Sequence, residues 1–473
     1  MRLSELTFLS ERRNTLLFSG ALTMVLSVLF LKEASFPPVL VLTAAAAFAV
    51  FLFAWSFKEP EAPLFLLAAV LPFNAQLGMR FEQMAGFPPV TFLGLFVFFM
   101  WARGFYSKDQ TRWSWSSASL PLLLFAAWGL LGTLKDFYIG WEYVLVQLLG
   151  FFKGWLFCLA LFLLFYNAAA KPGVLKTIVF IMASVSCLAA LLAAYEYWST
   201  GERVAGIFVQ PNRLIDPPNQ LAAFFNYMLF VPLAFFLMNA SHPLGWLYLI
   251  PLLILLRGLM VTFSRGGYLA FVAGLYISAL LRSRVLLILL IVAGAVILLH
   301  PEFLPQGVRW RLGQTVERRY SYTGGEKQAV KQLDRSSSDR VEIWKAAAEM
   351  IKENPVFGVG YGRFPSKVQN YWYAGIPFQP HNTYLAVPAE LGIPALLFLG
   401  WLILIPAKDA LMLYINGKDP FFRALGLGFI GGLASFLVSN TYISRTDYPH
   451  IMAYFWILAA LVMRARKEAN DAV

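Results

Sequence analysis

Residues 285–300 read VLLILLIVAGAVILLH, an apolar run without a charged side chain. Arg282 and Arg284 precede the run, and a long polar segment, 301–382, follows it. Such a run is typical of a helix that crosses the hydrocarbon core of a bilayer, which needs roughly 20 residues when untilted. The stretch therefore predicts a membrane-spanning helix that leads into a large loop.

The rest of the chain repeats this pattern. Hydrophobic residues make up 59% of its 473 residues and charged residues only 14%. We therefore predict an all-α integral membrane protein, a polytopic bundle of about 12–14 transmembrane helices with one large outer loop subdomain. The first run follows Arg12 and Arg13 without a small-residue cleavage site, so we expect a retained span. The apolar runs are roughly 15–31, 39–57, 63–79, 90–106, 119–134, 144–166, 174–197, 220–240, 244–262, 267–281, 285–300, 383–406, 422–440 and 450–464.

The net charge of +12 does not favour nucleic-acid binding, because the lysines and arginines fall mostly in short loops and near the chain ends. The positive-inside rule then places both termini in the cytoplasm. Cys158 and Cys187 lie inside apolar runs and predict neither a disulfide framework nor a metal site. We expect four regions: N-terminal helices (1–197), helices with outer-face motifs (198–300), a large periplasmic loop (301–382), and C-terminal helices with a cytoplasmic tail (383–473).

The loop is too long for a plain connection and predicts a small folded subdomain. Asp339 and Glu342 resemble a capping box, and Asn354-Pro355 ends the helix that they would start. We expect this amphipathic helix to lie on the bilayer surface through the apolar stripe Val341, Trp344, Ala348 and Ile351. A basic cluster surrounds the helix start and predicts either an anion site or a solvated loop: Arg309, Arg311, Arg318, Arg319, Lys327, Lys331, Arg335 and Arg340.

His381 is the histidine whose position suggests chemistry. It directly precedes a predicted helix start, with Asn382 or Thr383 as the cap, at the outer end of a span. An imidazole there can accept a proton from a hydroxyl group. The other histidines, His242, His300 and His450, occupy ordinary interfacial positions.

Three arginines share the side of the membrane predicted for His381. They are Arg203, Arg265 and Arg445, and their forked guanidinium groups suit a diphosphate. Internal pairing is the alternative, with Asp447 as a partner for Arg445 or a backbone carbonyl as a partner for Arg265. Arg257 lies deeper in its span, as a supporting residue or paired with a buried polar group.

Six short motifs follow one another in the chain: Arg203-Val-Ala-Gly-Ile-Phe208, Pro218-Asn-Gln-Leu-Ala222, Thr262-Phe-Ser-Arg-Gly-Gly267, Arg340, Asn354-Pro-Val-Phe-Gly-Val-Gly360 and His381-Asn-Thr-Tyr-Leu385. Together these motifs resemble the O-antigen ligase and polymerase superfamily. The resemblance covers roughly residues 197–405, and the motifs come in the order typical of that family. Either Asn212 or Asn219 fills the family's Pro-Asn element, and Asn219 is the better match because Gln-Leu-Ala follows it.

The resemblance implies a class C glycosyltransferase fold and transfer of a glycan from an undecaprenyl-diphosphate carrier to an acceptor hydroxyl. The reaction would take place on the periplasmic face of the bacterial cytoplasmic (inner) membrane, without a metal, cofactor or nucleotide sugar. His381 would act as general base, with inversion at the anomeric carbon. The implied substrate-binding residues are Arg203, Arg265, Asn219, Arg340, Asn382 and Arg445.

The acceptor stays open between a lipid A core sugar, a growing glycan in a polymerase, and a protein hydroxyl in an O-oligosaccharyltransferase. A lipid or polysaccharide transporter without catalysis is the rival from another class, although the halves of the chain show no internal repeat. Tyr371, Trp372 and Tyr373 would provide a stacking platform for sugars or an interfacial belt.

Overall fold

The protein is a helical, polytopic membrane protein, as predicted. The computed structural model describes residues 61–73, 89–102, 113–204, 217–313, 316–323, 326–333, 335–372, 379–443 and 449–471. Within these residues, seven helices are long and apolar enough to cross a membrane, and three shorter apolar helices accompany them. The predicted runs 15–31 and 39–57 lie outside the described residues.

In chain order the helices are α1 (Ala62–Val70), α2 (Pro89–Ala102), α3 (Ser119–Leu134), α4 (Trp141–Phe151), α5 (Phe157–Ala168), α6 (Pro172–Thr200), α7 (Pro217–Asn239), α8 (Leu249–Val261), α9 (Arg265–Arg282), α10 (Arg284–Leu299), α11 (Gln306–Gly313), α12 (Arg335–Glu353), α13 (Phe364–Lys367), α14 (Thr383–Leu391), α15 (Ile393–Asn416), α16 (Pro420–Ser439) and α17 (Pro449–Asp471). A π-helical turn, Phe152–Leu156, joins α4 to α5 in one continuous span. Apolar helices therefore account for the hydrophobic runs from 63 onward wherever the structure describes them.

A β-hairpin stands in the loop between α11 and α12. Strands β1 (Val316–Thr323) and β2 (Glu326–Leu333) pair antiparallel, with Arg318 opposite Lys331. Much of the predicted basic cluster is thus carried by a two-stranded ribbon. The prediction of a folded outer subdomain did not anticipate this hairpin, because its strands lack a continuous apolar face.

Helix α12 differs from its prediction in its start and in its buried face. It begins at Arg335, four positions before Asp339, because neither glycine nor proline interrupts the segment. Its buried residues are Ile343, Ala346, Ala347 and Met350, which pack in a small core with Val359, Phe364, Val368 and Ala389. The predicted stripe was only partly right: Val341 is exposed, whereas Ile351 packs against this core and Trp344 is half-buried. The apolar face of α12 packs on α14 and its neighbours.

The single span predicted at 383–406 is two helices, α14 and α15. Gly392 separates them with φ of +87°. The amide of Ile393 donates to the carbonyl of Pro355 at 2.8 Å, and a Cβ at Gly392 would overlap the carbonyl oxygen of Val356. The close approach of the segment 355–356 therefore requires a glycine at this break.

We expect Gly392→Ala to lower the free energy of unfolding by about 3 kcal/mol or more, because it combines a left-handed backbone with a backbone clash. Thermal unfolding of the purified protein in detergent measures this loss. Gly400→Ala is the matched control, since it lies in α15 and a Cβ there meets nothing within 4 Å. Equal melting temperatures for the two variants would contradict the explanation.

Helix α7 packs between α9 and α16 in the interior of the described bundle. Gly274 and Gly431 pack there against the Phe230 ring. Small residues of this kind let membrane helices approach closely. The packing gathers the first turns of α7 and α9 and the last turn of α16 at one end of the bundle, which we call the motif end.

Candidate active site at the motif end

A hydrogen-bond network joins three separate segments of the sequence at the motif end. Arg203 Nη2 donates to Asn219 Oδ1 at 2.9 Å, and Arg203 Nε donates to the Thr262 carbonyl at 2.9 Å. Ser264 Oγ donates to the same Asn219 oxygen at 2.6 Å. Asn219 therefore orients the Arg203 guanidinium and ties it to the turn before α9.

The turn between α8 and α9 has a strained geometry. Phe263 has φ of +47°, a region that non-glycine residues rarely occupy. Ser264 caps α9, because its hydroxyl accepts the Gly267 amide at 3.1 Å. Arg265 is the first residue of α9, so its side chain starts at the positive end of a helix dipole.

His381 also has an unusual backbone, with φ of +49°. The side chain of the next residue, Asn382, caps α14 by accepting the amides of Tyr384 at 2.9 Å and Leu385 at 3.3 Å. Thr383 fixes the same position to the end of α16. Its amide donates to the Asn440 carbonyl at 2.8 Å, and its hydroxyl donates to the Ile443 carbonyl at 2.9 Å.

A second anchor holds the segment before His381. Trp344 Nε1 donates to the Pro380 carbonyl at 2.9 Å, which joins the outer helix α12 to this segment. Arg340 lies one turn before Trp344 on the same side of α12 and is half-buried. The backbone of His381 is thus held from the outer subdomain and from the bundle.

With His381 in the role predicted from the sequence, Trp344→Phe is expected to reduce turnover about 5- to 10-fold, because it removes one hydrogen bond of about 1 kcal/mol while keeping an aromatic ring. A positioning role predicts a lower kcat with little change in KM. Steady-state kinetics of purified protein measure both constants. The control is Trp198→Phe, at an indole that is 80% exposed. An unchanged kcat in a folded Trp344→Phe variant would contradict the positioning role.

The His381 and Arg265 motifs meet at the chain that follows α16. Thr383 bonds to Asn440 and Ile443, while Gly266 packs against Tyr442, with the nearest atoms 3.2 Å from a Cβ position. Asn226 reinforces this side, because its side-chain amide donates to the Gly267 carbonyl at 2.9 Å. Segments that are more than 100 residues apart in the sequence therefore share one short support, residues 440–443.

Several of the remaining residues that the sequence analysis singled out lie outside the part of the chain that the structure describes. Arg445, Asp447 and Asn212 lie outside the described residues, as does Tyr373, and the side chain of His450 is not described either. Arg257 is an exposed residue of α8, and its guanidinium carbon lies 5.5 Å from the Tyr197 ring centroid. This contact is with an aromatic ring and not with the buried polar group that was one of the two predicted alternatives. Among the described residues, no three His, Cys, Asp or Glu side chains gather to hold a metal ion.

The predicted aromatic platform is partly packed. Tyr371 and Trp372 lie against the small core of the outer subdomain. The Tyr371 hydroxyl donates to the Glu353 carboxylate, and partial burial together with this carboxylate raises the pKa of Tyr371 to about 12. The phenol is therefore neutral at physiological pH.

Sequence reasoning did not single out several residues that organise the site. Ser264 and Asn440 act through long-range hydrogen bonds, which have no local sequence pattern. Glu390 is 2% exposed, and its carboxylate accepts the Phe364 amide at 3.1 Å. A carboxylate inside a predicted apolar span was the available signal for Glu390.

A polar contact joins the outer subdomain to α3 and its 3-10 extension. Asp136 pairs with Arg363 at 3.4 Å and accepts Gln147 Nε2 at 3.3 Å. Lys135 donates to the Gly358 carbonyl. Trp128 Nε1 adds bonds to the carbonyls of Val356 and Leu391, at 3.2 and 3.1 Å. The N-terminal helices therefore also support the segment that leads to the site.

Comparison with known proteins adds a family match. Residues 250–400 match the family model described as O-Antigen ligase. The match contains Arg265, Arg340, His381 and Asn382, whereas Arg203 and Asn219 precede it. No curated protein matches the chain.

Proposed function

We propose that this chain belongs to the O-antigen ligase superfamily and is a membrane glycosyltransferase that moves a glycan from undecaprenyl diphosphate to an acceptor hydroxyl, with a lipid A core sugar as acceptor. The observation that carries the proposal is the shared support of His381 and the Arg265 turn by residues 440–443. A base and a set of guanidinium groups at one end of a membrane bundle suit a lipid-linked donor with an anionic leaving group.

The proposed reaction is a direct displacement. The acceptor oxygen forms a bond to the anomeric carbon of the glycan while the bond from that carbon to the diphosphate oxygen breaks. The hydroxyl proton passes to the His381 imidazole, and the bonding electrons leave with the undecaprenyl diphosphate. Attack on the face opposite the leaving group inverts the anomeric configuration.

Arg203 and Arg265 would stabilise the charge that develops on the departing diphosphate. Hydrogen bonds of guanidinium to phosphate are strong and are often bidentate. Asn219 and Thr262 fix the Arg203 fork before substrate arrives, which lowers the reorganisation needed in the transition state. In this proposal, Arg340 and Arg445 add positive charge for the donor. Asn382 caps α14 and thereby orients the backbone next to His381. Binding of substrate by the Asn382 side-chain amide stays a prediction.

The proposed orientation places the motif end at the periplasmic face of the inner membrane. Basic residues at the opposite end of the bundle support it, because Lys176 bonds to Asp419 at 2.7 Å and Lys467 to Ser114 at 2.6 Å. With Arg282 at the same end, these residues follow the positive-inside rule. Both chain termini are cytoplasmic in this arrangement.

Transfer by the purified protein tests the proposal. An undecaprenyl-diphosphate glycan is incubated with a lipid A core acceptor, with and without chelator, and products are separated by mass. We expect glycan on the core sugar and release of undecaprenyl diphosphate. Longer lipid-linked glycans without core would indicate a polymerase, and glycan on an added protein would indicate an O-oligosaccharyltransferase. Movement of labelled lipid across vesicles without any transfer would overturn the enzyme assignment.

A further inference from the structure

Helix α11, the first helix of the outer loop, packs on the strained turn before α9. A Cβ placed at Gly307 would lie 2.6 Å from the Phe263 ring, so the helix rests directly on that side chain. Arg311 follows Gly307 by one helical turn and faces the same side. Its Nε donates to the Phe263 carbonyl at 3.3 Å.

Two arginines therefore bind successive carbonyls of a single turn. Arg203 Nε donates to Thr262, and Arg311 Nε donates to Phe263. The Tyr268 hydroxyl, one turn into α9, donates to the Met260 carbonyl just before this turn at 2.8 Å. Each contact through Nε uses one of the five N–H donors of a guanidinium. Arg265, two residues after Phe263, adds a third positive charge beside this turn.

We infer that Arg311 is a further diphosphate-binding residue, which completes a three-arginine site with Arg203 and Arg265 for the diphosphate of a lipid-linked donor. This inference rests on the proposed function. Two guanidinium groups bonded to one turn, together with the charge of Arg265 at the start of α9, match the charge of two linked phosphates better than that of one.

The position of α11 favours a lipid-linked ligand over a soluble one. Helix α10, which precedes it, has no buried residue and exposes Leu298 and Leu299 at 84% and 78%. Such a surface faces lipid in a membrane protein. Only a few residues separate α10 from α11, so Arg311 lies close to the level where a headgroup would emerge from the bilayer.

The test measures binding of undecaprenyl diphosphate, undecaprenyl monophosphate and inorganic pyrophosphate to the full chain in nanodiscs. We expect the wild type to prefer the lipid diphosphate over both other probes. Arg311→Gln should weaken lipid diphosphate binding about 10-fold, equal to about 1.4 kcal/mol, and change monophosphate binding less than about 2-fold, because one charge-assisted contact to the second phosphate is lost. Arg309→Gln is the matched control, as Arg309 is on the same helix and exposed.

Separate controls test whether the variant is folded and whether the bound diphosphate is lipid-linked or free. If Arg311→Gln melts earlier in detergent, Arg311→Lys keeps the charge without the fork and should still lose preference for the diphosphate. Equal weakening by Arg309→Gln, unchanged binding in a folded Arg311 variant, or equally tight binding of pyrophosphate would overturn the inference. Loss of selective binding in the Arg311 variant, with no glycan transfer by the wild type, would support the inference as a diphosphate site and reject the proposed function.

Discussion

Replacing His381 with asparagine is expected to reduce glycan transfer by about 10²- to 10⁴-fold, the range typical for removal of a general base. Asparagine can form hydrogen bonds, but it cannot accept the proton of an attacking hydroxyl at neutral pH. The purified variant is compared with wild type in the transfer assay with a lipid A core acceptor. Donor binding should change little, because the substitution leaves the arginine side chains that would hold the diphosphate in place.

The choice of asparagine separates chemistry from backbone strain. His381 has φ of +49°, which costs roughly 1–2 kcal/mol for an ordinary residue, whereas asparagine and histidine are both several-fold enriched in this region. His381→Asn should therefore melt close to the wild-type temperature. An alanine variant would mix lost chemistry with altered strain.

His300→Asn is the control for this prediction. His300 lies 2.9 Å from Glu302 and is exposed, so its replacement should leave transfer within about 2-fold. A folded His381→Asn variant that retains more than about a tenth of wild-type transfer would show that another group takes the proton. The base assignment would then fail, while the arginine site would still need its own test.

Much of the helical fold was predictable from hydrophobic runs. The predicted run 119–134 coincides with α3, and 285–300 lies within one residue of α10 at either end. Uncharged apolar segments fold as helices in a bilayer because all backbone groups must be paired internally. This constraint acts on each segment independently, so local sequence is sufficient.

The errors occurred where distant segments determine the local structure. The break at Gly392 depends on the approach of residues 355–356, which no pattern around Gly392 reveals. The buried face of α12 is determined by its contact with α14. The predicted stripe beginning at Val341 therefore matched the buried face only in part, through Ile351.

In the candidate site, too, local sequence predicted some features, whereas contacts between distant segments determined others. The motifs predicted which residue types carry chemistry, and the structure brings the His381 and Arg265 segments to one support at residues 440–443. The roles of these residues stay predictions. The links through Asn440, Ser264 and Trp344 connect segments that are up to several helices apart, so they required a structure.

Replacing Arg203 with lysine is expected to reduce transfer about 10- to 100-fold, although the charge is retained. Arg203 bonds to the Thr262 carbonyl through Nε and to Asn219 through Nη2, both at 2.9 Å. A lysine ammonium is a compact point charge without this fixed fork. We expect the loss mainly in kcat, since charge still attracts the donor, but its geometry no longer matches the leaving diphosphate.

Arg282→Lys provides the matched control, because Arg282 Nε also donates to a backbone carbonyl, that of Leu237 at 3.1 Å, but at the opposite end of the bundle. Both variants lose the same kind of contact, so similar small changes in melting temperature are expected. Only the Arg203 variant should lose transfer. A loss in both would indicate that the arginine–carbonyl contacts act through stability. Unchanged kcat in the Arg203 variant would mean that positive charge alone is sufficient and that the fork held by Asn219 has no part in catalysis.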